Sequence, residues 1–277
     1  MIATATTSWN TIDWALPVPR AELIAADHYA VESLDHLTAS QRIAFSHLAT
    51  CHTCELFIHF ERYLIKYVER HQDTLPGGVA RWRRFVADER RHVAAFERLL
   101  VRIRPDLYAN GELRFMRWGR ADDLLVALTR PVPFFLMAAL FEEITLWVPQ
   151  TMEGAPVHDP IVLEVMALHA DDERRHIAMD KLVLREARDR LPTWQLRVDV
   201  WSVLPLLVHC DRSARAGWKR MTAQLASEQG IDRSPIEDRS TSVSDRRGME
   251  SFAAQLRRLE LPEGARLASV IERMVQS

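Results

Sequence analysis

The sequence predicts an all-α protein built as a bundle of long helices, and three observations carry that prediction. Apolar residues recur at i, i+3, i+4 and i+7 through most of the chain. Glycine supplies only 9 of 277 residues, too few for the tight turns of a hairpin-rich or doubly wound fold. The composition, 48% hydrophobic and 27% charged, can bury a sizeable core and is unlike that of a disordered chain.

Thr38 to Arg70 reads as one long helix, with Phe45, Leu48, His52, Glu55 and His59 on one stripe. Thr74-Leu75-Pro76-Gly77-Gly78 stops it, since proline cannot continue a helix and glycine tolerates the reversal. Val79 to Ile103 is the second helix, with Trp82, Phe85, Val86, Val93, Phe96 and Leu100 apolar and Pro105 just past its end. A polar connection runs from Asp106 to Gly119, and a short helix covers Ala121 to Thr129. Pro131 and Pro133 punctuate the chain before a third long helix, Phe134 to Met152. The turn Glu153-Gly154-Ala155-Pro156 leads into a fourth, Asp159 to Leu191. Pro192-Thr193 opens a fifth that ends near Leu225, with a kink expected at Pro205. Ser227 to Gly248 is polar and reads as a mobile surface segment, and two short helices close the chain. The expected organisation is a helical domain over 1–226, whose first 35 residues are an extension, with 227–277 packed on the same domain.

Charge and cysteine content narrow the function classes. With 36 basic and 38 acidic side chains the net charge is −2, which gives no electrostatic reason to expect nucleic acid or an anionic membrane as partner. Three cysteines cannot make a disulfide framework, so a reducing cytosol fits. Met1-Ile2-Ala3-Thr4-Ala5 lacks the basic-then-apolar signal design. The longest apolar run, Val132 to Phe141, is about half a membrane span. A soluble, cytoplasmic protein is expected.

The chemistry lies in a repeat. Asp-Glu-Arg-Arg-His occurs twice, at 88–92 and at 172–176, inside two long helices. Composition alone accounts for a single Glu-x-x-His pair, and such a pair is usually a structural hydrogen bond. Repetition of the whole pentapeptide instead suggests two related helical hairpins. Residues three apart share a helix face, so Glu89 with His92, and Glu173 with His176, can each offer an oxygen and a nitrogen to one metal. Such a motif from each of two helices, plus one Glu from each of two others, is the ligand set of carboxylate-bridged di-metal bundles.

The two further carboxylates follow from hairpin arithmetic, because residues equidistant from a turn lie at one depth. Glu55 pairs with Glu89 about residue 72, and Glu142 pairs with Glu173 beside the Gly154–Pro156 turn. Glu143 fits almost as well as Glu142. His169 extends Glu173 and His176 to an i, i+4, i+7 set, which is hard to explain as a solvated face. His52 and His59 are expected as supporting partners rather than ligands. Cys51 and Cys54 form a C-x-x-C without βα context or a second pair, and read as ordinary buried thiols. The arginines around the second helix read as a solvated face, with docking of an acidic carrier protein as the minor reading. Phe135, Phe141 and Trp147 are core by default and could equally line a substrate pocket. Four carboxylates with three imidazoles suit iron or manganese better than zinc. Burying four negative charges requires cations, and two divalent metals supply them.

The pattern Glu55, Glu89-x-x-His92, Glu142, His169-x-x-x-Glu173-x-x-His176 resembles the ferritin-like di-iron N-oxygenases of the p-aminobenzoate N-oxygenase (AurF-like) family. The third histidine, His169, distinguishes that family from ferritins and the usual ferritin-like oxygenases. The resemblance covers roughly residues 38–220. It implies a ferritin-like bundle holding two iron ions that activate O2, with oxygen transferred to an amine to give hydroxylamine, nitroso or nitro products. It also implies that Glu55 and Glu142 each bind through one carboxylate, that Glu89 and Glu173 bridge, and that the three histidines hold the irons. A homodimer is implied as well. No Gly-rich dinucleotide fingerprint is present, so an external electron donor is expected. C–H hydroxylation or desaturation is the alternative oxidation, and ferroxidase or iron storage the binding-class alternative. Tyr63 and Tyr67 lie too far beyond Glu55 to serve a radical-generating site.

Overall fold

The computed structural model describes residues 8–24, 29, 34–152, 159–237 and 243–276, and among these the regular structure is helical. Helix α1, Ala39–His71, begins at a capping box in which Thr38 and Gln41 exchange side-chain and backbone hydrogen bonds. Gly77 and Gly78 follow it at φ +87° and +85°, where a side chain would be strained, and turn the chain into α2, Val79–Ile103. Next come α3, Pro105–Tyr108, inside the expected polar connection, and α4, Arg120–Leu128. Helix α5, Pro131–Met152, starts three residues before the expected Phe134, because a proline at the first helical position gives up an N–H that has no partner there. Helix α6 is Pro160–Arg190, capped by the Asp159 carboxylate on the N–H groups of Ile161 and Val162. The turn expected at Glu153–Pro156 lies outside the described residues.

The expected fifth helix is two: α7, Thr193–Trp201, and α8, Val203–Gln229, broken at Ser202. Pro205 explains the break, since it cannot donate to the Trp201 carbonyl four residues earlier and its ring crowds that group. Beyond Gly230 lie α9, Ser234–Glu237, α10, Val243–Arg258, and α11, Gly264–Gln276. The stretch read as a mobile segment, Ser227 to Gly248, therefore holds the end of α8, all of α9 and the start of α10. Its residues 238–242 lie outside the described set.

Helices α1 and α2 form one hairpin, α5 and α6 the other, and α2 packs on α6 to join them. Helix α8 lies against α1 and α5, and α10 covers α5. The last contact is close: a Cβ on Gly248 would lie 2.5 Å from the Ile144 Cα. Helix α5 is the one described helix long and apolar enough to cross a membrane, yet its surface is taken up by α6 and α10 and it carries Glu142 and Glu143. In the N-terminal extension, the N–H groups of Leu23 and Ile24 donate to the Ser46 hydroxyl, and Trp9 reaches the bundle interior.

The bundle is layered along its axis. One apolar cluster contains Phe45 to Ile58 of α1, Phe96 to Ile103 of α2 and Val162 to Met166 of α6. A second contains Tyr63 to Val68, Trp82 to Val86, Phe134 to Leu140 and Val183 to Leu184. Between them α1, α2, α5 and α6 present buried titratable side chains.

Candidate metal centre

That middle layer holds Glu61 from α1, Glu89 and His92 from α2, Glu142 from α5, and His169, Glu173, His176 and Asp180 from α6. None is more than 4% exposed. His92 Nδ1 lies 3.1 Å from Glu89 Oε2 and 3.3 Å from Glu173 Oε1. His169 Nε2 is 2.8 Å from Glu61 Oε1 and 3.0 Å from Glu173 Oε1. His176 Nδ1 is 3.0 Å from Glu89 Oε1 and 3.3 Å from Glu173 Oε2. Two overlapping donor groups result, Glu61/His92/His169/Glu173 and Glu89/His92/Glu173/His176, each tight enough to hold one metal ion. Glu142 completes the layer, its charge felt by Glu173, His176 and Glu89. Glu143, its neighbour in sequence, turns away and accepts a 2.6 Å bond from the Ser251 hydroxyl.

Glu55 is the correction. Its carboxylate accepts the Tyr108 hydroxyl at 2.6 Å and the backbone N–H groups of Arg114, Phe115 and Met116 at 2.8, 2.7 and 2.7 Å. It pins the α3–α4 connection to α1 and has no spare role at the metal layer. Helix α1 is buried on two faces, and the stripe of His52, Glu55 and His59 is the face turned to that connection and α8. His52 lies 3.4 Å from the Ala214 carbonyl, and His59 packs on Tyr63 and Trp118 beside Asp122. Both histidines thus make contacts on the side of that connection and α8. The face turned to α2 and α6 carries Cys54, Phe57, Glu61, Leu64 and Val68. Glu61 was detectable from sequence: paired with Glu89 its midpoint is residue 75, at the centre of the 72–78 reversal, whereas Glu55 misses by three residues.

The repeated pentapeptides brace each other. Asp172 Oδ2 lies 3.1 Å from His92 Nε2, and Asp88 Oδ2 lies 3.8 Å from His176 Nε2. Trp9 Nε1–H donates to the same Asp172 oxygen at 3.0 Å. Phe57 and Phe96 pack on His169 with ring centroids 5.1 and 4.9 Å away, and Phe85 packs on His176 at 4.5 Å.

The protonation pattern is that of a charge cluster neutralising itself. Burial favours neutral His92, but Asp172, Glu61 and Glu89 outweigh it and hold the ring well above its ordinary value. His176 is raised likewise by Glu89 and Glu173. Burial and the nearby Glu61 push Glu89 up to about 7, while His176 and His169 hold Glu173 down at about 2 against its burial. Burial and the neighbouring Asp180 drive Glu142 well above the carboxylate range. Among the described residues, none donates an N–H or O–H to either oxygen of Glu142 or of Asp180, or to Glu61 Oε2. Buried carboxylates without donors are costly, and two divalent cations would supply the missing charge. The oxygen-rich set with three imidazoles fits a pair of iron or manganese ions.

A cavity of about 350 Å3 reaches this layer from the α1, α5 and α8 side, touching Glu61, Glu142 and Glu173. Its walls are mainly apolar, with Phe60 and Phe141 stacked at 3.7 Å. Phe141 thus lines the cavity, while Phe135 is fully buried against Tyr67 and Trp82. At the outer end the charges balance: Arg215 pairs with Asp211 at 2.9 Å and Lys219 with Glu237 at 3.7 Å. Cys51 and Cys54 are buried thiols, pushed up by burial. Arg102, expected on a solvated face, is instead mostly buried and bonded to Asp159 at 2.6 Å.

Comparison with known proteins adds a family match. The profile of "P-aminobenzoate N-oxygenase AurF" matches residues 5–259, nearly the whole chain and well beyond the 38–220 expected from motifs. Uncharacterised proteins of Mycobacterium bovis and Mycobacterium tuberculosis are 30% identical over 143 residues, half of this chain and 41% of theirs. The chain thus spans less than half the length of those relatives. No solved structure matches it significantly.

Proposed function

This chain belongs to the p-aminobenzoate N-oxygenase AurF family, and on that premise we propose that it is an O2-dependent di-iron oxygenase that oxidises an amine nitrogen to the hydroxylamine, nitroso or nitro level. The observation that carries this reading is the buried set Glu61, Glu89, His92, Glu142, His169, Glu173 and His176 at the end of an apolar cavity large enough for a small organic molecule. Two iron ions held there supply O2 activation. The chain's own residues do the rest. The carboxylates neutralise the cations, and Asp172 and Asp88 orient His92 and His176. Phe57, Phe85 and Phe96 keep water from the histidines, and the cavity holds the amine beside Glu61 and Glu142.

The charge-balanced mouth and apolar walls favour an amine with an uncharged, ring-bearing body. Electrons come from a separate donor, and the working form is a homodimer in the cytoplasm. The test is anaerobic iron loading of the purified chain, O2 addition, and a mass-spectrometric screen of amino compounds. Products oxidised at nitrogen support the reading. Products hydroxylated or desaturated at carbon would assign the alternative oxidation, and iron turnover without organic product would assign a ferroxidase.

A further inference from the structure

Helix α6 carries two titratable side chains that the repeat does not account for. Glu173 and His176 have counterparts on α2 in Glu89 and His92. His169, one turn before Glu173, and Asp180, one turn after His176, do not: the equivalent α2 positions are Phe85 and Phe96. His169 approaches Glu61, as described. Asp180 lies at the other end of the same stripe, fully buried, close enough to Glu142, His176, Glu173 and Glu89 for their charges to act on it. Among the described residues no N–H or O–H group donates to either oxygen of Asp180 or of Glu142. A second acid placed there weakens the apo fold unless a cation is its partner.

We propose that Asp180, together with Glu142, supplies carboxylate oxygen to one of the two cations and so makes the two metal positions chemically unequal. This rests on the di-metal reading above. His92 and Glu173 face both positions, which have Glu61 and His169 on one side and Glu89 and His176 on the other. Oxygen from Glu142 and Asp180, added beside His176, makes that second position the oxygen-rich one. The harder, carboxylate-dominated position favours a hard divalent cation such as Mn2+.

The experiment is titration of the metal-free full chain with Mn2+, followed by calorimetry and electron paramagnetic resonance, for the wild type, Asp180→Asn, Asp180→Ala and His169→Ala. The wild type is expected to bind two Mn2+ in distinguishable steps. Both Asp180 variants should weaken one step by about 10-fold or more and leave the other unchanged, while His169→Ala weakens the step that Asp180 leaves alone. Circular dichroism and the metal-free Tm show whether each variant is folded, and loss of the buried acid should leave that Tm unchanged or higher. Two steps with wild-type affinities in a folded Asp180 variant would overturn the assignment, as would equal loss of both. A wild type that binds fewer than two cations would overturn the di-metal reading itself.

Discussion

Asp172 Oδ2 stands 3.1 Å from His92 Nε2, while Nδ1 of the same ring faces Glu89 and Glu173. The aspartate comes from one copy of the repeated pentapeptide and the histidine from the other. A carboxylate in this position fixes the proton on Nε2 and turns the Nδ1 lone pair inward, where a metal would take it. Trp9, Arg91 and Arg175 also donate to Asp172, so the brace is itself held in place.

Asp172→Asn is therefore expected to weaken iron affinity by about 10- to 100-fold, read by chelator competition. The reverse brace, Asp88 to His176, is longer at 3.8 Å and its aspartate is partly exposed, so Asp88→Asn should cost less. Equal losses would mean that ring orientation is not what the aspartates provide.

Glu55 and Glu61 separate stability from metal binding. Glu55→Ala leaves three backbone N–H groups and the Tyr108 hydroxyl without their acceptor, a cost of about 3 kcal/mol or more seen in the denaturation midpoint. Its folded fraction should still bind two metals. Glu61→Ala should stay folded and lose metal stoichiometry. The opposite pair of results would return Glu55 to the metal layer.

The same two residues show where the sequence was legible. Helix periods, the proline and glycine stops and the duplicated pentapeptide located α2 and α6 and aligned Glu89, His92, Glu173 and His176. Helix α1 resisted because it is buried on two faces, so hydrophobic periodicity marks two stripes without saying which faces the partner hairpin. Choosing the stripe through Phe45 and Leu48 selected Glu55 and its neighbours His52 and His59. Asp180 left no motif, since its role depends on lying opposite Glu142 across two helices. The pairing of α7 and α8 was visible only as a kink at Pro205, three residues from the actual break.

Removal of metal should invert the pH dependence of stability. Without metal, Glu89 titrates near 7 in the fold against an ordinary carboxylate value when unfolded, so between about pH 4.5 and 7 the unfolded chain releases the proton first. Stability then falls as pH rises through that window, and the raised values of His92 and His176 extend the loss above pH 6.5. Glu173, held near 2, acts oppositely and only below about pH 4.5. Divalent cations bind the deprotonated carboxylates and neutral imidazoles, so metal-induced stabilisation should grow over the same range. Tm against pH, with and without Mn2+, checks this. Parallel curves would show that the cluster does not exchange protons for metal.

Phe60 and Phe141 stack at 3.7 Å with their planes 26° apart, and each directly precedes a carboxylate of the metal layer, Glu61 and Glu142. One ring comes from each hairpin, and both line the cavity. Any amine reaching Glu61 and Glu142 must pack on this pair. Phe141→Ala removes one ring from the wall without touching a metal-layer side chain. Lost apolar contact of this size costs about 1–3 kcal/mol, so KM for a small aromatic amine should rise roughly 10-fold or more while metal stoichiometry stays at two. The enlarged cavity should at the same time admit bulkier amines. Product profiles by mass spectrometry on a graded series of amines measure both effects. A variant with unchanged KM and an unchanged series would place the substrate away from this cavity.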